Sequence, residues 1–258
     1  FAHTLANLII YILAALIYVG LPYATKRSYH TSTVLIIGWW SSMVFILTNY
    51  FHHLYMDFVQ PGILQYFGEL SSYLTAVPVT AVTIFSALML VWRSRTRWTL
   101  GAIFFYSGLV GWVVGGIGAE IDASVPFNVH LHNTLWVPAH FHTYLLGGCL
   151  LFVMGWVFLL LESRSRRSTP EPSRWLISAF IFGGMIVFLM GFYTAGALGI
   201  PRRYATETAS GPLIAQIATV GAAIMLVGFI LAFIEGLRLR RNYQADRPLW
   251  PEAEAAHE

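Results

Sequence analysis

The residues best equipped for chemistry in this chain are its histidines. There are nine in 258 residues. Six of them, His3, His52, His53, His132, His140 and His142, fall inside or at the edges of long apolar runs. An ionisable side chain in such a run is costly and points to function, with an interhelical hydrogen bond as the structural alternative. His140 and His142 stand two apart in Trp136-Val-Pro-Ala-His-Phe-His142. At about 100° per residue, helical spacing sets them about 200° apart. They cannot share one metal, and they suit two flat cofactors on either side of a helix. His52 and His53 are adjacent and would point about 100° apart on a regular helix. Binding one metal together requires a local distortion of that helix or the use of different ring nitrogens. With His3 as a third neutral imidazole from another helix, the set suits copper.

The elements that must hold these side chains are apolar helices. A membrane-spanning helix needs roughly 20 mostly apolar residues. Seven stretches qualify, near 4–24, 31–59, 64–92, 98–121, 133–161, 175–199 and 209–236. Pro78 and Pro138 predict kinks in the third and fifth. Basic residues follow alternate spans: Lys26 and Arg27, then Arg93, Arg95 and Arg97, then Arg164, Arg166 and Arg167, then Arg238, Arg240 and Arg241. By the positive-inside rule these connections are cytoplasmic. The connections after the second and fourth spans carry no Lys or Arg and belong outside. Glu120 and Asp122 end the fourth span there and read as solvated. All six histidines then gather in the outer part of the membrane. The connection after the sixth span is outside by parity yet reads Pro201-Arg202-Arg203-Tyr204, and paired arginines there call for an anionic partner. Residues 1–241 form the transmembrane bundle, and residues 242–258 read as a polar cytoplasmic tail.

Composition agrees with an all-α membrane protein. The chain is 57% hydrophobic and 10% charged, with a mean hydropathy of +0.65, whereas soluble domains carry about a quarter charged residues. Its formal charge of +3 comes from short loops, so orientation in a lipid membrane explains it and nucleic-acid binding is excluded. The one cysteine, Cys149, excludes an intrachain disulfide, a dithiolate copper centre and covalent haem attachment. The start at Phe1, without a charged segment before the first apolar run, reads as a chain whose N-terminal part lies elsewhere.

Four stretches carry a resemblance: Phe1-Ala-His3, Tyr50-Phe-His-His53, His132-Asn-Thr-Leu-Trp-Val-Pro-Ala-His-Phe-His142 and Pro201-Arg-Arg-Tyr204. In order and spacing the chain resembles the catalytic subunit I of haem–copper oxidases. It covers what look like the last seven of that subunit's twelve helices, with wording most similar to B-type cytochrome c oxidases. The resemblance implies two haems, one low-spin and one high-spin, and a copper ion. His3, His52 and His53 would be the copper ligands. His140 would be axial to the high-spin haem facing the copper, and His142 axial to the low-spin haem. Arg202 and Arg203 would hold haem propionates, with His132 and Asn133 as an outer polar pair near a propionate or, equally, as caps of the fifth span. The implied partners are an electron-donating subunit bearing copper or haem, cytochrome c or a similar donor, and the remaining N-terminal helices of the catalytic subunit. The implied setting is a bacterial or archaeal plasma membrane with the metal sites toward the outer face. The implied activity is respiratory reduction of dioxygen to water, coupled to proton uptake.

Two departures keep alternatives open. Most oxygen reductases of this kind carry a cross-linked tyrosine four residues after the position of His3, where this chain has Asn7. Another branch carries it six residues before the His-His pair, where this chain has Ile46. The lysine of one well-known proton channel is also absent from the third span, and Glu69, Ser71, Ser72, Tyr73, Thr75, Thr80 and Thr83 are the polar residues that a proton route could use. A nitric oxide reductase of the same superfamily is therefore the second reading. A metal-free seven-helix transporter is the remote one.

Overall fold

The computed structural model describes residues 2–57, 59–92, 94, 96–203 and 211–246, with side chains from Thr4 onward. Its elements in chain order are α1 (Ala2–Ala14), α2 (Ile17–Thr25), α3 (Thr33–Phe45), a 3-10 helix (Asn49–Leu54), α4 (Gly62–Val91), α5 (Leu100–Ala123), α6 (Val125–Leu131), α7 (Trp136–His142), a π-helical segment (Thr143–Leu150), α8 (Leu151–Arg164), α9 (Glu171–Ala197) and α10 (Gly211–Arg241). Among the described residues, six continuous helical stretches are long and apolar enough to cross a membrane. The expectation was seven.

The difference lies in the second predicted span. Helix α3 starts on a Ser32 cap, whose side chain accepts from the Leu35 N–H, but it stops at Phe45 after 13 residues. Thr48 turns its hydroxyl back onto the Phe45 carbonyl, and the chain continues as the 3-10 helix that carries His52 and His53. The first and fifth spans are interrupted as well. Between α1 and α2 the backbone tightens through i to i+3 bonds at Ala15 and Leu16, nearly two turns before Pro22, which has no N–H to continue the ladder. In the fifth span, Pro138 lies in α7 and the wider π segment follows directly. Pro78 sits inside the unbroken helix α4.

The bundle has two chemically distinct ends. At one, Arg27 donates to the Met89 and Trp92 carbonyls, the Arg97 N–H reaches the Ala24 carbonyl, Arg174 caps the Trp98 carbonyl and Arg238 reaches the Ser168 carbonyl. This is the end that the positive-inside rule assigns to the cytoplasm. Residues 242–244 fold against it: Tyr243 pairs with Ser165, and the Gln244 N–H donates to the Arg164 carbonyl. Residues 247–258 of the predicted tail lie outside the described residues, as do Arg93, Arg95 and Tyr204. The opposite end holds His52, His53, His132 and His140 and the Pro201–Arg203 loop.

Close backbone approach holds the helices together, as expected where apolar lipid supplies no hydrophobic drive between them. A Cβ on Gly184 would sit 2.4 Å from the Met225 nitrogen, and one on Gly221 would sit 2.5 Å from the Phe188 nitrogen, so α9 and α10 meet along small residues. One buried cluster centres on Phe105, Trp112 and Phe152, between α1, α2, α5 and α8. Another centres on Phe104, Phe158 and Ile181, between α5 and α8–α10. At the entry to α5, the Leu100 and Gly101 N–H groups both donate to the Glu162 carboxylate at 3.1 Å. A charge-assisted cap of this kind satisfies two donors that would otherwise be orphaned in the membrane.

Candidate metal centre

A cavity of about 700 Å³ opens at the histidine end, and His52, His53, His140, Arg202 and Arg203 all line it. That size is within the range of sites for bound cofactors. The chain folds so because the 3-10 helix lies against α4 and α7 lies against α5, which brings the two histidine-bearing breaks to one space.

The tautomers follow from the hydrogen bonds. The Ser72 hydroxyl donates to the Gly68 carbonyl at 2.8 Å, so toward His52 Nδ1, also at 2.8 Å, it accepts. That arrangement places the His52 proton on Nδ1 and turns its Nε2 toward His53. Nε2 of His52 lies 3.2 Å from Nε2 of His53. Two nitrogens each about 2.0 Å from one first-row ion sit roughly 3 Å apart, so the pair fits a shared ion. The local distortion that the adjacent pair required is present as the 3-10 helix. Among the described residues, no group of three or more His, Cys, Asp or Glu converges on a metal-sized point. The expected third ligand, His3, lies in α1 with its side chain outside them.

His140 and His142 point apart, as their spacing predicts. His140 is buried against α5, where a Cβ on Gly118 would come within 2.9 Å of its own Cβ, and it lines the cavity. Its Nδ1 is buried without a full hydrogen bond. His142 turns to α9, with its ring 6.0–6.2 Å from Phe192 and Phe188. Its Nδ1 donates to the Pro138 carbonyl at 2.6 Å, which again leaves Nε2 with the lone pair.

The outer polar residues tie two loops together. Asn133 takes a left-handed φ of 58°, and its side-chain oxygen accepts from Arg202 Nη2 at 2.9 Å. The Arg202 N–H donates to the Asn133 carbonyl at 2.8 Å. His132 Nε2 pairs with Asp57 at 3.3 Å. The side chains of His132 and Asn133 are thus engaged by Asp57 and Arg202, and at the start of α7 the Thr134 hydroxyl accepts from the Trp136 N–H at 3.2 Å. Burial, and then the neighbouring charge of Arg203, lower the Arg202 pKa, an electrostatic setting that favours a bound anion.

A family model described as "Cytochrome C and Quinol oxidase polypeptide I" matches residues 1–237. The chain belongs to this family. Among its relatives is cytochrome c oxidase subunit 1 of Thermus thermophilus, 31% identical over 229 residues, which covers 77% of this chain and 40% of that one. Another is the subunit 1 of Synechocystis sp., 29% identical over 179 residues, covering 69% and 32%. A probable quinol oxidase subunit 1 of Staphylococcus aureus is 25% identical over 216 residues, covering 82% and 32%. The chain thus spans about a third to two fifths of the length of these relatives. The fold is that of a heme-copper terminal oxidase dimer solved by cryo-EM, with a TM-score of 0.77 at 22% identity, covering 96% of this chain and 50% of that one.

The residues present fit the family's haem and copper: two imidazole Nε2 atoms 3.2 Å apart, a third imidazole buried on the same wall, a fourth aimed the opposite way among phenylalanines, and two arginines lining the cavity. Sequence reasoning missed several cavity residues. Tyr11, Asn49, Glu120 and Tyr144 line the space, and of these Glu120 had a readable signal, an acid inside an apolar run. The reading of Glu120 and Asp122 as solvated is corrected: Asp122 is 1% exposed, and one carboxylate oxygen of each is buried without a partner. Helix α6 folds back on Asp122, with Asn128 donating to the Asp122 carbonyl at 2.7 Å, and Glu120 lines the cavity. The residue at the expected tyrosine position, Asn7, lines the cavity, whereas Ile46 is 3% exposed in the packed interior.

Proposed function

We propose that this chain is the C-terminal portion of the catalytic subunit of a terminal respiratory oxidase that reduces dioxygen to water. The observation that carries the reading is the single cavity that joins His52, His53 and His140 while His142 faces away from it. In this reading His52 and His53, with His3, hold copper, His140 holds the high-spin haem and His142 the low-spin haem. When bound, these groups would supply one-electron chemistry for reducing the gas. The protein's own contribution is local. Ser72 and the Pro138 carbonyl fix imidazole tautomers, Phe141 lies between the two ligand histidines, and Arg202 and Arg203 offer charge-assisted hydrogen bonds to propionates. Electrons come from cytochrome c or a similar donor through a partner subunit, and the missing haem ligand comes from the subunit's N-terminal helices. The metal sites lie toward the outer face of a bacterial or archaeal plasma membrane.

A second reading, nitric oxide reduction, is favoured by Asn7 in the cavity wall, because joining two nitric oxide molecules needs no four-electron donor set. Oxygen and nitric oxide consumption by the intact complex, under one electron donor, tests both. Rapid oxygen uptake with slow nitric oxide turnover supports the oxidase. The reverse rejects it in favour of the reductase.

A further inference from the structure

Ser72, Thr75 and Thr83 on α4 bond back to carbonyls one turn earlier, the usual packing role of hydroxyls in membrane helices. Glu69 on the same helix is placed differently. Tyr73 donates to one of its oxygens at 3.0 Å and is also bonded to Ser124, the cap of α5. The Ser124 N–H donates to the Glu120 carbonyl, so the two side chains leave the end of α5 on one face. The Glu69 charge acts on the Glu120 carboxylate, and one Glu120 oxygen is buried without a partner. Among the described residues, no basic side chain ion-pairs with either acid. Tyr55 enters this cluster from a third element. It directly follows the 3-10 helix and is 5% exposed, and its hydroxyl is buried without a hydrogen-bond partner. That hydroxyl lies against α4, where a Cβ on Gly68, the residue before Glu69, would come within 2.9 Å of it. The ionisable groups that act on it are Glu69, Tyr73 and Glu120, so it is aimed among the acids.

We infer that Glu69, Glu120 and the Tyr55 hydroxyl hold a calcium ion at the end of the bundle opposite the basic loops. Two neighbouring carboxylates without a counter-charge destabilise one another, and a buried hydroxyl without a partner is uncommon. One divalent cation answers both, and two carboxylates neutralise it. The protein ligands are all hard oxygens, the set that suits calcium or magnesium. They come from three separate elements and mix acids with a phenol, an irregular cage that calcium accepts and magnesium, which demands a near-ideal octahedron, does not. Calcium takes roughly six to eight oxygens, and waters supply the remainder. Glu120 lines the cavity, and Glu69 is half-buried near the start of α4, so the ion enters from the solution at that end. Once bound, it ties the chain two residues past His53 to α4 and α5. The calcium therefore steadies the 3-10 helix that presents the histidine pair.

The test uses the purified intact complex, stripped with a calcium chelator and titrated with calcium chloride, with bound calcium counted by elemental analysis. Wild type should bind one more calcium per complex than the double variant Glu69→Gln, Glu120→Gln, with the same haem absorption in both. Tyr55→Phe should keep that calcium but raise its Kd about tenfold. Equal calcium counts in wild type and the double variant overturn the site and mean that the two acids share a proton instead. Wild-type affinity in Tyr55→Phe overturns it as well. If the double variant fails to assemble, terbium replaces calcium in the wild-type complex. Terbium luminescence excited through tyrosine and abolished by added calcium supports the site, and its absence overturns it. Binding needs neither gas nor electrons, so a complex that reduces neither gas would defeat the proposed function and leave the calcium site standing.

Discussion

Substituting Gly111 by alanine should be among the most damaging single-methyl changes in the described bundle. Gly111 faces the π segment, and a Cβ there would lie 2.1 Å from the Gly147 carbonyl oxygen and 2.4 Å from its carbon. Both are backbone atoms and cannot swing aside. To reach the 3.4 Å of ordinary contact, the two backbones must part by about 1.3 Å. Overpacking of this kind costs about 1–3 kcal/mol, and an unyielding backbone places the cost at the upper end, a melting-temperature loss of about 5–10 °C. The same structure supplies two controls. Gly147→Ala meets Gly111 Cα at 3.3 Å, a mild contact, and Gly183→Ala meets nothing within 4 Å. The second should be neutral or slightly stabilising, since alanine is favoured over glycine in a helix by about 0.5–1 kcal/mol. Thermal unfolding of the three variants in detergent, followed by tryptophan fluorescence, should rank them Gly111→Ala far below Gly147→Ala, with Gly183→Ala at or above wild type. Equal melting temperatures for Gly111→Ala and Gly183→Ala would refute the claim that α5 and the π segment meet backbone to backbone.

Three further outcomes are expected. His53→Ala should remove copper from the complex while leaving its iron content near wild type, read by elemental analysis; unchanged copper would count against the shared Nε2 site. His142→Ala should abolish the low-spin haem spectrum, and His140→Ala the high-spin one, so loss of the same haem in both would contradict their opposite facing. Glu162→Gln removes the charge that caps two N–H groups and should cost about 1–2 kcal/mol, seen as a melting point lower by a few degrees without a change in haem absorption.

Helix content and the opposed facing of His140 and His142 were legible from hydropathy and from the 3.6-residue period alone. The breaks were harder. Hydropathy runs straight through residues 31–59, yet α3 ends at Phe45 because Thr48 takes up a carbonyl, a contact with no signature in average polarity. The adjacency of His52 and His53 did carry a clue, since on a regular helix the two would point about 100° apart, and the backbone that carries them is a 3-10 helix. Glu120 and Asp122 were misread because position at the end of a span fixes depth along the membrane normal but says nothing about what lies beside it. The burial of Asp122 involves α6, a seven-residue helix too short to announce itself in the sequence. The cavity tyrosines were invisible for a related reason: Tyr11 and Tyr144 are ordinary residues of apolar runs until tertiary packing turns them inward.

The π segment has a consequence for how this family can vary. Each π turn holds more residues than an α turn, so the eight residues of Thr143–Leu150 make fewer turns than an α-helix would give them. Deleting one residue there would let the segment wind as an ordinary α-helix: the lost residue removes about 100° of α rotation, and the tighter winding of the remaining seven offsets it. His140 and His142 would keep roughly their angular setting relative to the packing face of α8. The irregular stretch thus gives room to gain or lose a residue beside the ligands without re-aiming them.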